Sequence, residues 1–491
     1  MRNVAGHVIQ KLIVLAIVLA IGMPFATAID LPTRTVRAEA AEVATIQQPP
    51  RPNVVLIVSD DQRADALWVM PAVRRLIGDH GVTFSNALVT NPFCCPSRAT
   101  ILTGRYSHST RVYSNEGDVG GWHAFAAHGA ERNTIATALD RAGYRTGLFG
   151  KYLNGYDNAP DGYVPPGWDR WFSFAGNNGA YFDWRAFDDR RGLLRFGHDP
   201  GDYSTDVIAS KAVRFIRGTA AGRPLFLMVT PYGPHDPWTP APRHQHAFDG
   251  AQVDLGPGFS EDVSDKPPYI RRRALSGAAA MRERTRAEWE TLRSVDELVA
   301  RVFAALAATG RVQNTLVIFL SDHGISNGQH RWQHKLTPYE ESIHIPMLVR
   351  YDAGGTLRGA TSAALAANVD VAPTILDFTG TSLPGVEGRS LRSVLAGAAP
   401  NVRDMLLLEH SRALGIDVPP YCGLRTRRYT FARYAGGFLE LYDLSTDPYE
   451  LENVARSPAY AATVAWLDRE LRARCLPPPP GFVFPYSSPV R

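Results

Sequence analysis

Three short apolar runs constrain this chain more than any other feature: Asn53–Ser59 (NVVLIVS), Leu225–Thr230 (LFLMVT) and Thr315–Ser321 (TLVIFLS). Each has the length and β-branched content of a parallel strand buried on both faces. Each also stops at polar groups: Asp60 and Asp61 after the first, PYGPHDP with His235 after the second, Asp322 and His323 after the third. In open α/β sheets ligands gather beyond the carboxyl ends of the strands, so three such ends can converge on one site. Amphipathic helical patterns lie between them, including Thr134–Ala142 closed by Gly143 and Arg284–Ala308 closed by Gly310. The alternation predicts a layered α/β domain over residues 51–400. Beyond it, RTRRYTFARY and FLELYDL alternate like an antiparallel hairpin, and a helical run follows from Tyr460 to Arg474. These predict a smaller α+β lobe with an antiparallel sheet over residues 401–474, and residues 475–491, with the Pro477–Pro480 run, read as a tail.

The first residues belong to export rather than to the fold. Arg2 and Lys11 precede an apolar run from Leu12 to Met23, and Ala26-Thr27-Ala28 places small residues at a cleavage spacing. That apolar core falls short of the roughly 20 residues that span a bilayer, so residues 1–28 are expected to be a cleaved signal peptide and residues 29–50 a linker. The product would be secreted or otherwise extracytoplasmic. A formal charge of +4 over 491 residues, without a long Lys/Arg run, gives no footprint for nucleic acid. Of the four cysteines, Cys94 and Cys95 are adjacent, where a mutual bridge strains the peptide between them. Cys422 and Cys475 lie far downstream and are open to pairing in an exported protein. Oligomeric state is not readable from the chain.

The segment FCCPSRATILTGRYSH, residues 93–108, carries the strongest chemical signal. It resembles the signature of the type I sulfatases, CxPSR followed by a short helix and TGR, here Cys94, Pro96, Ser97, Arg98, Thr103, Gly104 and Arg105. The resemblance implies that Cys94 is converted to formylglycine by a formylglycine-generating enzyme, so that an aldehyde replaces a thiol. A hydrated aldehyde offers two hydroxyls on one carbon. One attacks sulfur, and deprotonation of the other ejects sulfate and restores the aldehyde, an exit that a serine lacks. Pro96 and Ser97 suit the first turn of a helix, whose free N–H groups favour an anion. Arg98 would hold the hydrated nucleophile or a sulfate oxygen.

The same resemblance assigns Asp60, Asp61, Asp322, His323 and the group made from Cys94 to a divalent metal, Ca2+ with Mg2+ as the alternative. His323 stands where many sulfatases carry Asn. Lys151 in FGKYLNGY and Lys335 in RWQHKLTPYEESIHIP resemble the two lysines that neutralise sulfate oxygens, and His235 in GPHDPW resembles the histidine that contacts sulfate or protonates the leaving group. Leu153 occupies the position of the His in the GKxH of many members. The base for sulfate release is then open, with groups such as His235 or a water positioned by Asn154 as candidates. LYDLSTDPYELENVA, Leu441–Ala455, resembles the closing signature of the family and should join the small lobe to the catalytic domain.

The implied fold is of the alkaline-phosphatase type, a large, mixed and mostly parallel sheet sandwiched by helices. The implied reaction is hydrolysis of sulfate monoesters of a small molecule or glycan. The GKYLN and CCPSR versions of the motifs favour the glucosamine-6-sulfatase branch. Two other readings use the same residues: a phosphonate monoester or phosphodiester hydrolase, and a non-catalytic protein that binds sulfated glycan with Cys94 left as a thiol.

Overall fold

The computed structural model describes residues 51–485 apart from Asn177, Asn178 and Leu414, so the expected signal and linker lie outside the described residues. All three diagnostic runs are fully buried strands: β1 (Asn53–Ser59), β7 (Leu225–Thr230) and β8 (Thr315–Ser321). With β2 (Val82–Phe84), β3 (Arg145–Gly150), β4 (Arg170–Phe174), β5 (Arg185–Asp188), β6 (Gly192–Arg195), β9 (Met347–Arg350) and β10 (Ala360–Ser362) they build one ten-stranded sheet, ordered β10-β2-β9-β8-β1-β7-β3-β4-β5-β6. The central strands β8, β1, β7, β3 and β4 run parallel, while β9, β5 and β6 are antiparallel to neighbours.

Alternation along β1 explains the layers. Val54, Leu56 and Val58 point to one face, where they meet α1 (Cys94–Thr103), α2 (Ile135–Arg141) and α5 (Val371–Thr379). Val55 and Ile57 point to the other, against α3 (Ser204–Arg217) and α4 (Ala278–Ala308). Burial on both faces is why these strands read as unbroken apolar runs. The helix expected over Thr134–Ala142 is α2, with Thr134 as its N-cap, accepting from the Thr137 N–H. The helix expected from Arg284 begins six residues earlier, because the Ala278–Ala280 stretch extends it by propensity although it carries no apolar periodicity.

A second sheet, β11 (Met405–His410), β12 (Tyr421–Thr426), β13 (Tyr429–Tyr434) and β14 (Leu439–Asp443), is antiparallel throughout. One face, with Leu407, Leu424, Phe431 and Leu441, packs under α6 (Ala461–Arg474) through Leu467 and Leu471. The other face, with Leu406, Leu408, Tyr421 and Tyr434, belongs to the core of the main sheet. Cys422 and Cys475 are bridged, with Cα atoms 6.4 Å apart. The stretch read as a tail therefore starts at an anchored residue, and Phe482 within it is buried in the same small core.

Candidate active site at the strand ends

Backbone geometry at the carboxyl ends of four parallel strands sets the site. After β1 the Asp60 N–H donates to the Gly233 carbonyl, and Asp61 takes a left-handed φ of 65°, an uncommon turn for a non-glycine residue. After β8 the Asp322 N–H donates to the Ser59 carbonyl, which locks the two acidic ends side by side. At the end of β3, Gly150 has φ +124° and a Cβ there would lie 2.0 Å from the Thr230 carbonyl, so only glycine lets the chain deliver Lys151 to this point. Cys94 opens α1, whose ten residues are all buried and which ends at Gly104 in the left-handed region.

All nine expected residues meet. The Cys94 Sγ lies 3.4 Å from Lys335 Nζ, 3.4 Å from His323 Nε2 and 4.0 Å from Asp60 Oδ1. Lys151 pairs with Asp60, and Lys335 Nζ with Asp61 Oδ1 at 2.6 Å. Arg98 donates from Nε to Asp322 Oδ2 at 2.9 Å and from Nη1 to the Lys151 carbonyl at 3.1 Å, while its Nη2 sits 3.5 Å from Asp60 Oδ2. His235 Nε2 is 3.7 Å from Asp61 Oδ2, and His323 Nε2 is 3.3 Å from Asp61 Oδ1.

Charge explains the titration of the group. Burial alone would raise the Asp60 carboxyl, but Lys151 and Arg98 beside it hold it well below the usual range. Asp61 is likewise held low against its burial by His235 and Lys335. Asp322 goes the other way, up to about 6, because burial and the neighbouring Asp60 outweigh His323 and Arg98. The two adjacent thiols diverge. Burial raises both, but Lys151 and Lys335 pull Cys94 well below a free thiol, whereas Cys95 is pushed up to about 12 by burial and the neighbouring Cys94.

Three buried carboxylates face three permanent cations, Arg98, Lys151 and Lys335, which leaves the centre near neutrality. The donor atoms of Asp60, Cys94, Asp322 and His323 lie within 4.8 Å of one another, as do those of Asp60, Asp61, Cys94 and His235. Three carboxylates are the hard oxygen donors that divalent Ca2+ or Mg2+ takes, so the donor set fits such an ion. His323 Nδ1 lies 3.0 Å from the Gly324 carbonyl, which fixes its proton there and leaves Nε2 free to act as a ligand. Adding a divalent cation would leave the site with two surplus positive charges, of which a sulfate monoester, with its single negative charge, offsets one.

Several supporting residues carry no motif visible in one sequence. Asn115 Oδ1 accepts from the Cys95 N–H at 2.8 Å, and Asn368 donates to Ser97 Oγ at 2.8 Å. Ser97 in turn donates to the Asp322 carbonyl, tying the first turn of α1 to the end of β8. Leu153 is buried in the main core. Asn154 is turned to Cys95, its N–H donating to Sγ at 3.1 Å.

The sulfatase family model matches residues 52–381, and a model of the C-terminal part of N-sulphoglucosamine sulphohydrolase matches residues 328–475. N-acetylglucosamine-6-sulfatase of Capra hircus is 32% identical over 457 residues, covering 83% of this chain and 80% of its own length. Among solved structures, BT4656 in complex with its substrate D-glucosamine-2-N,6-O-disulfate superposes with a TM-score of 0.75 at 24% identity, over 87% of this chain and 97% of that one. The phosphonate monoester hydrolase SpPMH from Silicibacter pomeroyi does so with a TM-score of 0.67 at 25% identity, over 87% and 95%. The architecture is thus shared with phosphoryl chemistry, while the sequence match runs to sulfatases along most of both lengths. The chain belongs to the sulfatase family and is a hydrolase of sulfate esters.

Proposed function

We propose that the chain removes 6-O-sulfate from glucosamine units of a sulfated glycan, using formylglycine made from Cys94 as nucleophile beside Ca2+ or Mg2+. One observation carries the nucleophile and metal, with the sugar taken from relatives named N-acetylglucosamine-6-sulfatase: Cys94 opens a buried helix with its sulfur 3.4 Å from both Lys335 Nζ and His323 Nε2, at the meeting point of Asp60, Asp61 and Asp322. A hydrated formylglycine at this position supplies one hydroxyl to attack sulfur and a second whose deprotonation releases sulfate. Asp60, Asp61, Asp322 and His323 would hold the metal together with the group at position 94, and a divalent ion there lowers the pKa of the nucleophile and polarises the ester oxygens.

The remaining side chains then divide the work. Lys151 and Lys335 turn from their carboxylates to sulfate oxygens as charge develops on them. Arg98 keeps Asp322 in place through Nε and points Nη2, 3.5 Å from Asp60 Oδ2 and without a hydrogen-bond partner among the described residues, into the cluster. His235 is the proton carrier, since Leu153 lies in the core and the Asn154 Oδ1 accepts from the Cys95 thiol at 3.6 Å. Its Nδ1 is 2.8 Å from the Asp236 carbonyl, which sets the tautomer and leaves Nε2 facing the site to take a proton during sulfate release.

Export is part of the proposal. No helix among the described residues is long and apolar enough to cross a membrane, relatives include proteins named extracellular sulfatases, and the Cys422–Cys475 bridge suits an oxidising compartment. The test is mass analysis of the peptide containing position 94 in exported, active protein, alongside turnover of glucosamine 6-sulfate and of an aryl phosphonate. Formylglycine and preferred sulfate turnover are expected. An intact thiol in fully active protein, or faster phosphonate turnover, would overturn the proposal.

A further inference from the structure

A second cavity, of about 570 Å3, lies at the amino end of the main sheet. Arg145 opens β3 six residues, about 20 Å, before Lys151, while Phe149, farther along the same strand, forms the inner wall of the cavity beside Phe215 of α3. Its walls are Arg145, Arg170, Arg190, Arg191, Lys211 and Arg214, with Phe149, Phe215 and a single acid, Asp188.

Ordinary structural roles account for only part of this positive charge. Lys211 pairs with Asp188, and Arg170 Nε with Asp189 Oδ2 at 3.0 Å. Arg214 lies in the last turn of α3, where a cation complements the helix dipole. Arg145 has no carboxylate partner among the described residues. It donates to the Thr219 hydroxyl at 2.9 Å and the Phe215 carbonyl at 3.3 Å and stacks over the Phe215 ring at 4.7 Å. Arg190 reaches Asp189 only at 3.9 Å, and no ion pair holds Arg191 among the described residues. Burial and the crowding of Arg170, Arg190 and Arg223 lower the Arg145 guanidinium, the response of a cation among like charges. The chain as a whole is only +4, so this is a local concentration of charge.

We propose that this cavity is a second, non-catalytic site that binds sulfated polysaccharide, its arginine forks gripping sulfate or carboxylate groups of the glycan. Guanidinium groups match such planar or tetrahedral oxyanions with paired hydrogen bonds, and a cavity of this size takes a saccharide-sized ligand. The site would keep the enzyme on a glycan matrix and raise the local concentration of ester groups at the strand ends. It rests on the sulfated-glycan reading of the substrate, but binding can be read without turnover.

The test uses the full chain and a heparin-derived decasaccharide as probe. Arg191→Glu combined with Arg214→Glu reverses two exposed cations that hold no side-chain hydrogen bond among the described residues. The expected result is a Kd weakened roughly tenfold or more at physiological salt, with a flatter dependence of log Kd on log salt. Turnover of a small aryl sulfate and the melting temperature should stay unchanged, while kcat/KM on the polymer falls. An unchanged Kd would overturn the proposal. So would equally tight binding of single-stranded DNA or anionic vesicles that the same double variant abolishes. Because the measurement also works on protein with an unmodified Cys94, its outcome is independent of the nucleophile.

Discussion

Two adjacent cysteines of identical chemistry are separated by what touches each sulfur. Cys94 faces Lys151, Lys335 and His323, while Cys95 accepts the Asn154 N–H and is pushed up to about 12. Cys94→Ala should therefore lower aryl-sulfate turnover by on the order of 10^3 or more. Cys95→Ala should keep turnover within about tenfold and cost ~1–2 kcal/mol for the small cavity it leaves. Steady-state kinetics and thermal melts on both variants check this, and equal loss in the two would remove the distinction. The charges around Cys94 make a second prediction. Arg98, Lys151 and Lys335 already answer Asp60, Asp61 and Asp322 inside the protein. Chelation of divalent metal should then abolish turnover while shifting the melting temperature by only a few degrees, since no carboxylate is left buried and unpaired. Unfolding on chelation would show that the cations do not serve as stand-ins. At this scale the sequence was informative because the groups proposed to react sit in contiguous motifs. Asn115 and Asn368 were not legible, since each acts through a fold contact outside any motif, with a residue 20 positions away for Asn115 and 271 for Asn368.

Among the elements, the three fully buried central strands were legible and their neighbours were not, for a packing reason. β3 reads RTGLFG, and its glycines break the apolar run. A Cβ at Gly147 would sit 2.8 Å from the Phe215 ring, so the strand spends its pattern on letting α3 approach. The joint between α1 and the small sheet was equally invisible. His108, just beyond α1, sets Nδ1 2.8 Å from Glu409 Oε1 on β11 and Nε2 3.3 Å from Glu387 Oε1. Those two carboxylates overcome the penalty of partial burial and raise the imidazole to about 10. A histidine raised on folding stabilises the native state fully below its unfolded pKa of roughly 6.5, and that contribution is lost as pH rises through the folded value. Stability should thus decline between about pH 7 and pH 10 in the wild type. Denaturant midpoints of His108→Gln, which has no proton to lose, should be lower at pH 7 and should show a shallower decline; parallel pH profiles would dismiss the joint as an ion pair.

At the scale of the whole molecule, the small sheet shares one face with the main core and closes the other with α6, so two lobes inferred from a change of sequence pattern are joined by a continuous interior. Lys266 strengthens that seam by donating to the carbonyls of Glu450 and Leu451 at 2.8 and 2.7 Å, within the segment that resembles the family's closing signature. The far face is held differently, by the bridge between Cys422 on β12 and Cys475 just after α6, across a sequence separation of 53. The bridge was only a possibility in the sequence, because spacing along the chain says nothing about distance across a sheet. Closing a loop of that length restricts the unfolded chain by about 4 kcal/mol in the chain-entropy account. The Cys422→Ala, Cys475→Ala double variant should lose up to about that much stability in denaturant titrations. Its turnover at 25 °C should remain near wild type, because the bridge lies in the small core with Leu467 and Leu471 and touches none of the groups around Cys94. If activity falls in step with stability at temperatures where the variant is still folded, the small sheet must do more than support the strand ends, and the shared face through Leu406 and Tyr434 is where that coupling would run.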